Sequence, residues 1–309
     1  MPRVTVMIIG LNVGKYIAEA IDSVLDQTYT DYEIVFIDDG STDRTAEIVR
    51  SYGDKVRYFY QDNRGIPSAR NHGLRHSQGE YIALLDGDDC FLPHKLERQV
   101  AVMDAHPEIA FACSDTLVMD DSGSVYSVWR RQNRLATFEA IYQRNMIWVP
   151  TVMIRRKMLE EIGGWDESLL ISQDYDLWLR LAKRAPFHFI DEPLTRYRSR
   201  PGSMGKNTKL RMKDNMVIIR KEEIAKGKTF IEKRVRAAKG YYYFAQLFVE
   251  ECDYWTAGKC YWSACLSYPL IGTLYWPPET ANFRFSWPYR VLKIYFLGVY
   301  FLARGVWGR

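Results

Sequence analysis

The chain has 309 residues, 47% of them hydrophobic and 26% charged, with a net charge of +4. This composition excludes a collagen-like repeat, a disordered tail and a disulfide-stapled mini-protein, and the length points to two domains. The charge is too mild to propose nucleic acid as a partner, but it is unevenly placed: residues 211–309 carry 16 Lys/Arg against 8 Asp/Glu, and residues 1–210 carry 26 against 30.

The first 120 residues alternate short apolar runs with helical patterns. Val4–Ile9 reads as a strand, Tyr16–Leu25 as a helix, Tyr32–Ile37 as a strand and Asp43–Tyr52 as a helix. Val56–Tyr60 follows as a strand, Pro67–Ser77 as a helix and Tyr81–Leu85 as a strand. Continuous β-rich runs separated by helices predict an α/β domain with a mostly parallel sheet covered on both faces. Ligands of such sheets sit beyond the carboxyl ends of the strands. Five cysteines form no CxxC pair, five histidines show no metal-binding spacing, and Met1–Val4 runs straight into a strand without a secretory leader. Reduced thiols in a cytosolic protein are therefore expected.

The strand ends are acidic. Ile34–Ile37 runs into Asp38-Asp39-Gly40-Ser41-Thr42-Asp43, and Tyr81–Leu85 into Asp86-Gly87-Asp88-Asp89. Ser41–Asp43 suit a turn and helix cap, but carboxylates ending a buried strand are costly unless paired or bound. Three carboxylates within four residues suit a hard divalent cation, Mg²⁺ or Mn²⁺, which would in turn hold a diphosphate. Between these clusters, Gly65 and Pro67 mark a loop entering a helix that carries Arg70. That arginine is either a solvated helix residue or a fork for phosphate or base oxygens, with Arg64 the other candidate. No GxGxxG or GxxxxGK[ST] occurs, so neither a dinucleotide fingerprint nor a P-loop has support.

In this order, Val-Thr-Val-Met-Ile-Ile at 4–9 with Asn12, Ser-Val-Leu at 23–25, Ile-Asp-Asp-Gly-Ser-Thr-Asp at 37–43, Ala-Arg-Asn at 69–71, Gly-Glu-Tyr-Ile-Ala-Leu-Leu-Asp-Gly-Asp-Asp at 79–89, Gly-Gly-Trp-Asp-Glu at 163–167 and Gln-Asp-Tyr-Asp-Leu-Trp at 173–178 resemble the family 2 glycosyltransferases. The resemblance covers about the first 205 residues. It implies an inverting, nucleotide-sugar-dependent enzyme of the GT-A fold, a Rossmann-like, mostly parallel central sheet with helices on both faces. It further implies Asp39 on the nucleotide base, at N3 of a uracil, Asp38 close to the ribose, and Arg70 against the nucleotide. Asp86 would lie near the ribose or donor sugar, Asp88 would be the direct metal ligand, and Asp174 the catalytic base. Trp165 and Asp166 would border the acceptor. An N-cap or first-turn acid is the plainer alternative for Asp174, and core packing is the expectation for Trp178.

Three positions depart from the family pattern. Leu11, beside Asn12 at the nucleotide end of the first strand, replaces an aromatic that would stack on the base. Gln173 replaces the acid before Asp174, and Arg200 stands where a histidine is often found. An arginine cannot ligate a metal but can contact the diphosphate, so weaker metal binding is expected.

Beyond Ser203 composition carries the reading. Residues 206–239 are basic with helical apolar spacing, residues 260–276 hold no charge and are interrupted by Pro269, and Ile294–Ala303 are apolar between Arg290, Lys293 and Arg304. Aromatics crowd this rear, with 22 of the chain's 44 Phe, Trp and Tyr in residues 211–309. Neither apolar stretch reaches the about 20 residues of a spanning helix. Aromatic and basic flanks predict interfacial attachment to an anionic membrane surface, with internal packing as the rival. The expected organisation is a catalytic domain over 1–205 and a helical, aromatic-rich basic region over 206–309. The expected activity is transfer of a sugar, UDP-linked first of all, to a hydroxyl of a lipid-linked or growing saccharide at the cytoplasmic face of a membrane. A catalytically silent nucleotide-sugar binder or scaffold is the alternative, motivated by Leu11, Gln173 and Arg200.

Overall fold

In the computed structural model the chain divides into two compact units, Met1–Met204 and Gly205–Arg309. The structure describes residues 1–130, 136–143, 145–200, 203, 207–225, 230–267, 297 and 299–302.

The first unit is built from β1 (Val4–Gly10), α1 (Ile17–Leu25), β2 (Tyr32–Asp38), α2 (Thr45–Arg50), β3 (Arg57–Tyr60), α3 (Ile66–His76), β4 (Tyr81–Asp86) and β5 (Cys90–Phe91). These are followed by α4 (Lys95–Ala105), β6 (Phe111–Met119), β7 (Val125–Trp129), α5 (Phe138–Gln143), β8 (Met153–Arg155), α6 (Arg156–Glu161), α7 (Gln173–Arg184) and β9 (Phe187–Arg198). The sheet runs β3-β2-β1-β4-β8-β6-β9-β5, with β7 hairpinned onto β6. Its first four strands are parallel. β8 then enters antiparallel to both β4 and β6, and β9 runs parallel to β6.

Alternation along the strands explains the two covered faces. Val4, Val6, Ile8, Ile34 and Phe36 pack with Ile17, Ile21 and Val24 of α1 and with Leu96 and Val100 of α4. Ile9, Val35 and Ile37 face the other way, against Ala69 of α3. Because β1, β2 and β3 are in register at Gly10, Asp38 and Tyr60, with Ile9 opposite Asp86 of β4, the polar strand ends emerge along one edge. Helix α7 buries Leu177, Trp178, Leu179 and Leu181, so Trp178 is core.

A lysine sits within this core. Lys95 is fully buried, donates to Gln99 Oε1 at 2.6 Å and lies 4.0 Å from the Phe91 ring centroid. Burial pushes its pKa well below 10.5, so the folded state binds fewer protons here than the unfolded chain. Between the depressed value and 10.5 stability therefore rises with pH through this group. Lys95→Met is expected to lack that increment. Denaturant melts of both proteins at pH 7 and 9.5 measure it, and parallel pH responses would refute it.

In the second unit α8 (Thr208–Ala225), α9 (Phe230–Glu250) and α10 (Tyr254–Ser267) surround Phe244, Phe248, Tyr261 and Cys265, with Phe301 stacked on Tyr254 and Tyr261. Helix α10 is two-sided: Ala257, Cys260, Tyr261, Ala264 and Cys265 are buried, while Trp255, Lys259 and Leu266 are exposed. Among the described residues no helix is long and apolar enough to cross a membrane. Residues 268–276 of the uncharged stretch and about half of Ile294–Ala303 lie outside the described residues.

Candidate active site

The β2 end is fixed by its own acids. Asp38 is wholly buried, and its oxygens accept from Ser41 N and Tyr58 Oη, each at 2.7 Å. It thereby welds the strand end to the following turn and to β3. Asn12 (φ 53°) occupies the left-handed region that asparagine tolerates. Its Oδ1 accepts from Thr42 N at 2.8 Å and Asp43 N at 3.3 Å, so this side chain holds the 41–43 turn. Leu11 beside it is exposed. Asp39 accepts from Gln61 Nε2 (2.7 Å) and Arg64 N (3.0 Å) on Oδ1, and from Gly65 N (3.0 Å) on Oδ2. The Gln61–Gly65 loop, which leads into α3, is thus tied to the strand edge.

Arg70 joins the sheet edge to α7. It is 2% exposed and donates to Gln173 Oε1 at 2.8 Å and to Asp86 Oδ1 at 3.0 Å, with the Trp165 ring centroid 6.0 Å away. Burial and the neighbouring Asp88 raise the Asp86 carboxyl, against the pull of Arg70. Asp174 sits in the first turn of α7, where Asn145 Nδ2 donates to its Oδ2 at 3.1 Å. Burial lifts its pKa above 3.8, with Arg70 opposing. The glutamine before it therefore anchors Arg70, which acts on both Asp86 and Asp174.

The acidic turn after β4 is clamped by two arginines. Arg200 Nε donates to Asp88 Oδ2 at 2.6 Å. Arg198, 2% exposed, donates its backbone N–H to Asp89 Oδ1 (2.8 Å) and its Nε to the Asp88 carbonyl (2.9 Å), while its guanidinium pairs with Glu19 of α1. Asp89 is buried with Oδ2 unsatisfied. Burial and repulsion from Asp88 and Asp86 push its carboxyl well up, which favours the neutral acid. Among the described residues no three His, Cys, Asp or Glu side chains gather to hold a metal on protein ligands alone.

Trp165 is buried against α3: its backbone N–H donates to Asn71 Oδ1 at 2.8 Å, and Asn71 Nδ2 donates to its backbone carbonyl at 2.9 Å. Asp166 accepts from Ser168 N and Oγ and caps its own turn. The Gly-Gly pair before Trp165 has φ of 78° and 70°. A Cβ on Gly164 would lie 2.5 Å from Asn71 Oδ1, whereas one on Gly163 would meet nothing within 4 Å. Gly163→Ala is thus expected to cost only backbone strain, about 1–2 kcal/mol, and Gly164→Ala substantially more because it also displaces Asn71. Equal melting temperatures for the two variants would contradict this.

Arg70, Asp86, Asp174 and Trp165 thus gather around the Arg70 guanidinium, Asp88 and Arg200 pair at the acidic turn, and Asp39 is anchored separately by Gln61 and the loop amides. Asn12 and Asp166 are engaged in turns, and Asp38 in its own turn and in the bond from Tyr58 of β3. Gln61 and His72 at Asp39, Asn145 at Asp174, and Glu19 and Arg198 at the acidic turn were not singled out from sequence. Their partners lie 11 to 179 residues away, so no local pattern marks them.

The α/β sheet, with paired acids and buried arginines gathered along its carboxyl edge, has the GT-A architecture. Solved structures share the fold. Staphylococcus aureus TarS 1–349 superposes with a TM-score of 0.66 at 18% identity, over 100% of this chain and 92% of that one. The Pyrobaculum calidifontis mannosyltransferase PcManGT, solved with GDP-Man and Mn²⁺, gives 0.62 at 19% identity, over 100% and 88%. The profile of glycosyl transferase family 2 matches residues 5–163, and the chain belongs to that family. An uncharacterized glycosyltransferase of Rickettsia typhi is 35% identical over 64% of this chain and 64% of its own length. TuaG of Bacillus subtilis, a glycosyltransferase provisionally named for teichuronic acid biosynthesis, is 30% identical over 67% and 82%. The chain spans less than two thirds of the Rickettsia relatives, down to 28% of the R. bellii one.

Proposed function

We propose that the chain is an inverting glycosyltransferase that moves a sugar from a nucleoside-diphosphate donor, UDP-linked first of all, to a hydroxyl of a lipid-linked or growing saccharide. The observation that carries this reading is Asp174: a carboxylate in the first turn of α7, held by Asn145 and directly following the Gln173 that binds Arg70, whose guanidinium also grips Asp86. Inversion by direct displacement needs one carboxylate to take the acceptor's proton as its oxygen attacks the anomeric carbon, and Asp174 has that role here. Asp39 meets the base, Arg70 and Asp86 orient the nucleotide and donor sugar, and Arg200 faces the diphosphate. Leu11 lies at the base, and the Trp165–Asp166 segment borders the acceptor.

The acidic turn fits a divalent cation only in a limited way. Asp88 is the one carboxylate for Mn²⁺ or Mg²⁺, its Oδ2 is shared with Arg200, and the remaining ligands would be donor oxygens and water. Such a cation would neutralise charge on the departing diphosphate.

TuaG by its name and the aromatic, basic second unit support surface-glycan synthesis by a protein held peripherally at the cytoplasmic face of a membrane, docking on anionic lipid. The exposed Trp255, Lys259 and Leu266 of α10 suit that attachment.

Screening UDP-, GDP- and dTDP-sugars for release of nucleoside diphosphate, with Mn²⁺, with Mg²⁺ and with chelator, tests the reading. Release from one donor supports it. Tight donor binding without release, even with lipid-linked acceptors present, would replace it by the silent binder.

A further inference from the structure

The anchoring of Asp39 leaves a particular acceptor pattern. A carboxylate offers about four lone-pair sites, two on each oxygen. Oδ1 takes Gln61 Nε2 and Arg64 N, which fills it, and Oδ2 takes Gly65 N, which leaves one position open. Gln61 is itself oriented. Its Oε1 lies 3.0 Å from His72 Nδ1, and because a carbonyl oxygen only accepts, that ring nitrogen carries the proton and the amide NH₂ points to Asp39. His72 is hemmed in by His76, with ring centroids 5.0 Å apart, and by Phe59 at 6.1 Å. Burial, with His76 and Arg75 nearby, favours the neutral imidazole, which still donates from Nδ1.

We propose that Gln61, oriented by His72, is a specificity-determining residue for the nucleobase: by filling Oδ1 it leaves Asp39 able to take one N–H donor and not two. This rests on the reading that Asp39 meets the base. The imide of uracil or thymine presents a single N–H between two carbonyls and matches one open acceptor. Guanine presents two adjacent N–H groups, which pair side by side with both oxygens of a free carboxylate, and here one oxygen is spent. Cytosine and adenine present a ring-nitrogen lone pair beside their amino group, which a carboxylate repels. Selection of a uracil or thymine nucleotide thus arises from a glutamine that need not touch the base.

Calorimetric titration of the full chain with UDP, dTDP, GDP, CDP and ADP tests this without an acceptor. The wild type is expected to bind UDP or dTDP at least about tenfold tighter than GDP. Gln61→Met, of similar length but with no N–H to donate, is expected to bring the UDP:GDP ratio within about threefold of unity while keeping a cooperative melt. His72→Ala should shift the ratio the same way by less. If Gln61→Met does not fold, Gln61→Asn, which shortens the amide's reach, carries the comparison. An unchanged ratio in the Gln61 variant together with a lost preference in Asp39→Asn would overturn the proposal and leave the base reading standing. A wild-type ratio preserved in Asp39→Asn would overturn the base reading itself. A wild type that prefers guanine or adenine, or binds none of the five, overturns the proposal outright.

Discussion

Asp174→Asn is expected to lower acceptor-dependent release of nucleoside diphosphate by about 10²–10⁴-fold, the usual worth of a positioned general base, with donor affinity nearly unchanged. The amide keeps the size and the place at the start of α7 but cannot take a proton. The separation of effects follows from the contacts: Arg70 ties to Gln173 and Asp86, and Asn145 rather than Arg70 holds Asp174 Oδ2. Burial raises the Asp174 pKa above 3.8, and the base works only when ionised. The acid limb of kcat/KM should accordingly lie above that of an ordinary aspartate, activity falling as pH drops through it. Initial rates across pH and calorimetric donor binding measure both effects. Unchanged turnover would return Asp174 to a first-turn helix acid, and lost donor binding would make it part of the donor pocket instead.

Much of the parallel half of the fold was legible because its signals are local. Val4–Ile9, Tyr32–Ile37 and Tyr81–Leu85 each extend one residue further in the structure, into Gly10, Asp38 and Asp86, since the ladder hydrogen bonds continue past the last apolar residue. The helix expected over Asp43–Tyr52 is trimmed to Thr45–Arg50, because Asp43 turns back to bond Gly14 N and Thr45 N. Helix α7 begins at Gln173, which places Asp174 in its first turn rather than at its N-cap. The acidic strand ends were equally visible, as runs of carboxylate that no turn requires. What no local pattern carried was the division of labour among them. Asp38 and Asp39 are adjacent in sequence, yet one is sealed by Tyr58 and the other anchored by Gln61 and two loop amides. The antiparallel insertion of β8 between β4 and β6 was likewise unreadable, since three residues, Met153–Arg155, show no period. Sequence gives residue type and spacing, while the partner of a buried charge is set by where the chain returns.

That distinction bears most on Arg200, whose substitution should have opposite effects on nucleotide and metal. Arg200 and Asp88 form a half-buried pair, with side-chain exposures of 28% and 17%, so each partly neutralises the other before any ligand arrives. Removing the guanidinium leaves Asp88 as an uncompensated carboxylate, a better ligand for a hard cation. It also removes a donor fork from the place proposed for the diphosphate. Arg200→Ala is therefore expected to weaken UDP binding in chelator by about tenfold or more, and to lower the Mn²⁺ concentration that half-restores it. Arg200→Lys, which keeps the charge without the fork, should fall between. Nucleotide titrations at fixed chelator and across a Mn²⁺ series resolve the two effects. If Arg200→Ala binds UDP as the wild type does in chelator, the arginine acts only as a clamp on the acidic turn. If nucleotide affinity drops and Mn²⁺ cannot restore it, Arg200 supplies charge that a cation on Asp88 does not replace. The expected result lies between these outcomes: on the proposed reading guanidinium and cation would compete for one carboxylate and serve one diphosphate, and residue 200 would then set the metal demand as much as Asp88.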